Sequence, residues 1–262
     1  MKIGVFSCTG KYGQEICEII INTPNMTLGG VTARQNNSFL GKDIGTLLKR
    51  DMCQNIITDD LLQACQESDV MIDFSHPDAL DQHLASVIES KTAYVLGTTG
   101  FTPHQQDALH EAAKDIPILQ APNMSLGVTF LSAISEMLAQ KLDFDIEILD
   151  FHHRRKSDSP SGTALDIGKK IANARHQKFE DVAQFDRSQH HRKDGEIGFA
   201  SLRGGSVIAD CSIIFAGDGE RLELTHRADN SQIFSHGAVK AAQWITNQKP
   251  GLYSMKDIFF KK

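Results

Sequence analysis
The chain has 262 residues, enough for one large domain or two modest ones with real hydrophobic cores. Hydrophobic residues make up 40% and charged residues 23%, an ordinary globular balance, and the net charge of −6 argues against general affinity for nucleic acid. The five cysteines are odd in number and never spaced C-x-x-C, so they read as reduced packing thiols of a cytoplasmic protein. No run approaches the roughly 18 apolar residues of a membrane span.

The opening MKIGVFSCTG is too short in its apolar stretch for a secretory signal and runs into a predicted strand at 2–7. CTGKYG then reads as a turn, and QEICEIIINT carries apolar residues at helical spacing. Further strands are expected at 26–34, 69–75, 92–100 and 116–123, with helices between them. One of these helices follows Thr102 as N-cap with Pro103 at its first position; another starts near Pro77. Alternating strands and helices predict a doubly wound, Rossmann-like parallel sheet. After a helix at about 127–141 comes the strand FDIEILDFHH, then a helix from about Ser161 to Arg175. EIGFASLRGG, SVIADCSIIFA and ERLELTHRA follow as strands joined by GG and GDG, short glycine turns that signal antiparallel neighbours. The chain closes with a helical FSHGAVKAAQWITNQ and a tail. The expected architecture is α/β: a dinucleotide-binding domain over 1–125, an α+β domain with a mixed or antiparallel sheet over 126–234, and 235–262 packing back on the first.

The first strand-to-helix turn, FSCTGKYGQ, keeps Gly10 and Gly13 of a dinucleotide fingerprint, with Ser7 and Thr9 where earlier glycines are expected. A plain tight turn is the bland alternative. Arg34 follows the second strand with Ala33, not an acid, before it; that favours a ribose 2′-phosphate, hence NADPH over NADH. LGTTGF ends a strand at the carboxyl edge, where ligands of open α/β sheets bind.

The densest chemistry is ILDFHHRRKSDSPSGTALDIG, residues 148–168. On a strand His152 and His153 point to opposite faces. An imidazole that titrates near neutrality and the ammonium of Lys156 can bind an anion and move protons. Ser161, Gly162 and Thr163 open a helix whose backbone N–H groups suit a carboxylate or phosphate. A metal site is not expected: adjacent histidines do not readily share one ion, and their neighbours are arginines rather than carboxylates.

HHRRKSDSPSGTAL resembles the signature of the dihydrodipicolinate reductase family, the 4-hydroxy-tetrahydrodipicolinate reductases of lysine and diaminopimelate biosynthesis. MIDFSHPDA, VLGTTGF, APNMSLGV, EIGFASLRGG, FAGDGERLELTH and FSHGAVKAAQW resemble that family's segments in the same order. The resemblance implies His152 and Lys156 as catalytic proton-transfer residues, with His153, Gly162 and Thr163 binding a small cyclic dicarboxylate. Gly10, Lys11, Tyr12, Arg34, Gly97, Thr98, Thr99, Ala121, Pro122, Asn123 and Met124 would meet NADPH, with NADH an alternative cofactor, and the protein would be a homotetramer. Ser7 and Tyr12 replace a glycine and a methionine of the family's usual turn, and Ala33 its acidic residue. The alternatives are another NADP-dependent oxidoreductase on the same fold and a non-catalytic nucleotide-sensing protein.

Overall fold
Lys2–Phe6 (β1) is buried at every position but the first, and Val70–Asp73 (β4) and Ala93–Leu96 (β5) are buried throughout. Unbroken burial of aliphatic residues marks parallel strands covered on both faces. The structure is a computed structural model that describes residues 1–260. The chain divides into two units: Met1–Ser125 with the segment from Gln232 onward, and Leu126–Ser231.

In the first unit β1, β4 and β5 join Thr27–Thr32 (β2), Ile57–Thr58 (β3), Pro117–Gln120 (β6) and Gly251–Tyr253 (β12) in one sheet, ordered β12-β6-β5-β4-β1-β2-β3. Its pairings are parallel, and the run β3-β2-β1-β4-β5-β6 is the doubly wound order. Lys11–Ile21 (α1), Leu61–Gln66 (α3), Leu80–Ser90 (α4) and Pro103–Ala112 (α5) connect the strands. Thr102 caps α5 through Gln105, with Pro103 in the first turn. The core gathers Phe6, Met71, Leu84, Val87, Tyr94, Leu109 and Ile118. Gly30 lets α3 lie against β2, since a Cβ there would fall 2.2 Å from the Ala64 Cα.

The sequence reading is corrected at several points in this unit. The expected strands at 69–75 and 92–100 end at Asp73 and Leu96, because the residues that follow turn away at the carboxyl edge. β3 and Ile44–Leu48 (α2) are too short to show a period. The tail contributes β12, which pairs with β6 from Gly251↔Pro117 to Tyr253↔Leu119. Gln232–Ile245 (α9) precedes it. Ser235 Oγ of α9 donates to Glu15 at 2.8 Å, and Gly237 passes so close to the Met124 carbonyl oxygen that a Cβ would fall 1.7 Å from it.

The second unit holds Leu126–Ala139 (α6), Asp145–His152 (β7), Gly162–Ala174 (α7), Phe179–Val182 (α8), Ala183–Gln184 (β8), Ile197–Arg203 (β9), Ala209–Gly217 (β10) and Glu220–Ala228 (β11). The sheet order is β11-β10-β7-β9-β8, and the sheet is mixed. β10 runs antiparallel to β11 and β7; β9 runs parallel to β7 and β8. Leu131, Ile146, Ile148, Ile167, Ile171, Phe199, Ile213 and Phe215 form its core.

The glycine turns therefore behave differently. GDG closes the expected β10–β11 hairpin, but the GG after β9 does not make β9 and β10 neighbours. The crossover through α7 brings β9 parallel to β7, and β10 lies on the other side of β7. Gly204 and Gly205 instead extend the pairing past the strand ends: the Gly204 N–H reaches the His152 carbonyl at 3.0 Å and the Arg154 N–H reaches the Gly205 carbonyl at 3.3 Å.

Candidate active site
Alternation along β7 puts Ile146, Ile148, Asp150 and His152 on the face that meets the core. The register sets Ser201 opposite Asp150 and Arg203 opposite His152 on β9. Asp150 is 1% exposed and would be costly to bury without partners. Ser201 Oγ donates to its Oδ1 at 2.5 Å, while Arg203 Nη1 lies 3.1 Å and His152 Nδ1 3.0 Å from its Oδ2. Neither of the last two approaches is aligned as a hydrogen bond, and the Arg203 one is an ion pair. The imidazole of His152 is 12% exposed. Burial pushes its pKa below the ordinary histidine value; Asp150 opposes that shift, while Lys156 and Arg203 add to it.

Beyond β7 the chain turns, with the Lys156 N–H on the His153 carbonyl at 3.1 Å. Lys156 is mostly covered, and its Nζ contacts Asp158 Oδ1 at 2.7 Å. The Lys156 ammonium, helped by the backbone N–H groups of Asp158 and Gly162 and opposed by burial, holds the Asp158 carboxyl below the usual carboxylate range. Ser161 caps α7 by accepting the Ala164 N–H at 3.2 Å, as its position in the sequence leads one to expect. His153 sits just past the strand, with a buried Nδ1 that has no hydrogen-bond partner among the described residues. Arg154 and Arg155 are exposed. His152, His153, Lys156, Gly162 and Thr163 thus share the stretch between the end of β7 and the first turn of α7. The sequence reading missed Asp150, Ser201, Arg203 and Asp158; the D-x-H alternation was the available signal for the first of these.

In the first unit Lys11 and Tyr12 open α1, and the other expected residues lie in the segments beyond the carboxyl ends of β1, β2, β5 and β6. Gly10 is the N-cap of α1, which has no side-chain cap. Gly13 is sterically required, since a Cβ would fall 2.6 Å from the Ser7 carbonyl oxygen. Ser7 occupies the left-handed region at φ 53°, a conformation that favours glycine. Tyr12 is half-buried against Phe74, ring centroids 5.2 Å apart, and Lys11 Nζ lies 5.5 Å from its ring. Arg34 is exposed just past β2, in a loop joined to the glycine turn by Asn37 Nδ2 donating to Thr9 Oγ1 at 3.3 Å. The Gly97 N–H reaches the Asp73 carbonyl at 2.9 Å, and the Thr98 hydroxyl donates to the Ser75 carbonyl at 3.0 Å. Thr98 therefore braces the edge, while Thr99 is exposed. Gly97 packs under Phe74, and a Cβ there would fall 2.5 Å from that ring. After β6, Ala121 and Met124 are buried, Pro122 is exposed, and Asn123 Oδ1 takes the Ser125 N–H at 2.9 Å. The five cysteines are free thiols, and among the described residues no three His, Cys, Asp or Glu side chains are grouped to hold a metal ion.

A doubly wound sheet with a glycine turn at its carboxyl edge, followed by a mixed-sheet unit that offers an imidazole and an ammonium, defines a Rossmann-like oxidoreductase. Family models described as dihydrodipicolinate reductase, N-terminus and C-terminus, match residues 1–124 and 127–259. The 4-hydroxy-tetrahydrodipicolinate reductase of Nitrosospira multiformis is 39% identical, covering 98% of this chain and 97% of its own. That of Ralstonia pickettii is 40% identical, covering 98% and 99%. Dipicolinate-bound dihydrodipicolinate reductase from Paenisporosarcina sp. TG-14 shares the fold at a TM-score of 0.82 and 24% identity, covering 99% of each chain. The chain belongs to the dihydrodipicolinate reductase family, a family of nicotinamide-dependent oxidoreductases.

Proposed function
We propose that this chain reduces 4-hydroxy-tetrahydrodipicolinate to tetrahydrodipicolinate in lysine and diaminopimelate biosynthesis, with NADPH preferred over NADH. The observation that carries this reading is the pairing of His152, set beside Asp150 at 3.0 Å, with Lys156 in the segment leading to the Ser161-capped start of α7. The residues of the first unit fit a dinucleotide: the glycine turn is closed by Gly13 and opens an uncapped helix, as a pyrophosphate requires. Gly10, Lys11 and Tyr12 would meet the pyrophosphate, and Arg34 the 2′-phosphate. Gly97–Thr99 and Ala121–Met124 would line the nicotinamide end.

When bound, the reduced nicotinamide supplies a hydride. The substrate gains that hydride and one proton and loses its hydroxyl as water, so the protein must supply a proton and stabilise developing negative charge. The Lys156 ammonium would stabilise that charge and can give up a proton. Burial and its cationic neighbours disfavour the imidazolium of His152 in the free protein. A dianionic substrate beside it favours the imidazolium and readies it to give a proton. One substrate carboxylate would take the Gly162 and Thr163 end of α7, replacing Asp158 on the Gly162 N–H and Lys156. The other would meet the unpartnered Nδ1 of His153.

A cytoplasmic homotetramer goes with the family resemblance. Leu149, Phe151, Leu202 and Ile214 share the face of the second sheet turned away from its core, and Leu202 is 47% exposed there, which suits assembly through that sheet. Sedimentation measures the subunit count directly. The decisive test of activity is a coupled assay: substrate is made in situ by dihydrodipicolinate synthase, and oxidation of NADPH and then NADH is followed. Turnover faster with NADPH is expected; no oxidation of either cofactor overturns the proposal.

A further inference from the structure
Arg203 contacts a neighbour of each member of the proposed catalytic pair: the Asp150 carboxylate beside His152 and the backbone of Asp158, two residues beyond Lys156. It is the last residue of β9, opposite His152 in the parallel register, and its side chain is 18% exposed. Nη1 lies 3.1 Å from Asp150 Oδ2 and donates to the Leu202 carbonyl at 2.7 Å. Nη2 donates to the Asp158 carbonyl at 2.6 Å. One planar group thus contacts the carboxylate beside His152 and the backbone of the segment that carries Lys156. That segment, between β7 and α7, has no regular secondary structure of its own. Besides this bond, it is tied back by the Arg154 N–H on the Gly205 carbonyl, two residues beyond Arg203.

We propose that Arg203 is a positioning residue for the reduction, fixing the distance between His152 and Lys156 by bridging Asp150 and the Asp158 carbonyl. The inference rests on the assignment of His152 and Lys156 made above. A guanidinium suits the task because its rigid fork reaches two acceptors at once; a lysine keeps the charge but offers a single ammonium on a flexible stem. Charge balance for Asp150 alone would be met by either residue, so the two substitutions separate positioning from neutralisation.

The charged and titratable groups facing His152 are Asp150 on its own strand, Lys156 in the following turn and Arg203 on β9. Cys211, paired with Asp150 across β10, is a buried thiol pushed up to about 12 and stays neutral. Arg203→Lys should lower kcat by about 10- to 100-fold, the scale of small misplacements in a catalytic constellation. NADPH affinity and the His152 ring titration, read by NMR, should stay near the parent's. Arg203→Gln should lower kcat similarly and move the His152 titration upward, because a repelling cation is lost and Asp150 is left to the imidazole. Parent-like turnover in Arg203→Lys overturns the positioning role, as does an unmoved or lowered His152 titration in Arg203→Gln. Should Arg203→Gln fold poorly, Arg203→Lys alone still decides. If His152→Ala and Lys156→Ala keep full turnover, the reaction assignment fails, while the titration shift in Arg203→Gln still reports the Arg203–His152 coupling.

Discussion

Each unit contains a buried aspartate beside a histidine Nδ1, and the two pairs do different things. In the first, Asp73 Oδ2 lies 2.7 Å from His83, takes the Tyr94 hydroxyl at 2.5 Å, and its Oδ1 takes the Ser75 N–H at 2.7 Å. Phe6 stacks on the His83 ring with centroids 4.1 Å apart, and the side chains are 1% and 7% exposed. Both Asp73 oxygens are hydrogen-bonded, so the cluster rigidifies the end of β4 from which Gly97 and Thr98 are braced. In the second pair the contact to Asp150 is 3.0 Å but unaligned, the imidazole is more open, and cations stand on two sides. An aligned carboxylate–imidazole contact makes the first pair a structural fixture; the unaligned one leaves the second with capacity for an incoming ligand.

Substitution of the histidines should separate the pairs most sharply. His152→Ala or Lys156→Ala should lower kcat by about 100- to 10,000-fold with NADPH affinity kept, whereas His83→Ala should chiefly lower the melting temperature. Steady-state kinetics, cofactor titration and calorimetry check this; full turnover in His152→Ala would erase the distinction. Next come the aspartates. Asp73→Asn should cost on the order of 3 kcal/mol of stability by breaking a buried pair. Burial works to raise the Asp73 pKa, but His83, Ser75 and Tyr94 outweigh it and hold it below the usual value. Its contribution is therefore present above the unfolded carboxylate pKa near 3.9 and is lost as pH falls through the lower folded value. The stability gap between parent and Asp73→Asn should accordingly narrow in acid, measured by denaturant unfolding across pH. Asp150→Asn should instead move the His152 ionisation further down, since Asp150 is what raises it, and shift that limb of kcat/KM to lower pH.

Two smaller effects test the cofactor side of the first unit. Arg34→Ala should raise the KM for NADPH about tenfold and leave that for NADH nearly unchanged, a loss of about 1.4 kcal/mol toward the 2′-phosphate alone. Ser7→Gly should stabilise the protein by about 1 kcal/mol by relieving a left-handed non-glycine residue, visible as a small rise in melting temperature.

What the sequence made legible was local. Thr102 and Ser161 are caps because a side chain and an N–H three residues on suffice, and both act as such. The run from His152 to Thr163 is continuous in the chain, so its chemistry could be read without knowing a single strand pairing. Arg203 could not be found that way: it meets His152 through a parallel register separated by α7, and the glycines after it mimic a hairpin. β12 escaped because three residues carry no period and owe their strand geometry to the open edge of β6.

The first sheet ends with a strand encoded after the whole second unit. During synthesis the ribosome must therefore finish residues 126–231 before α9 and β12 emerge to complete the nucleotide-type sheet. A nascent chain halted near residue 125 would leave β6 as a bare edge, able to recruit a strand from another chain.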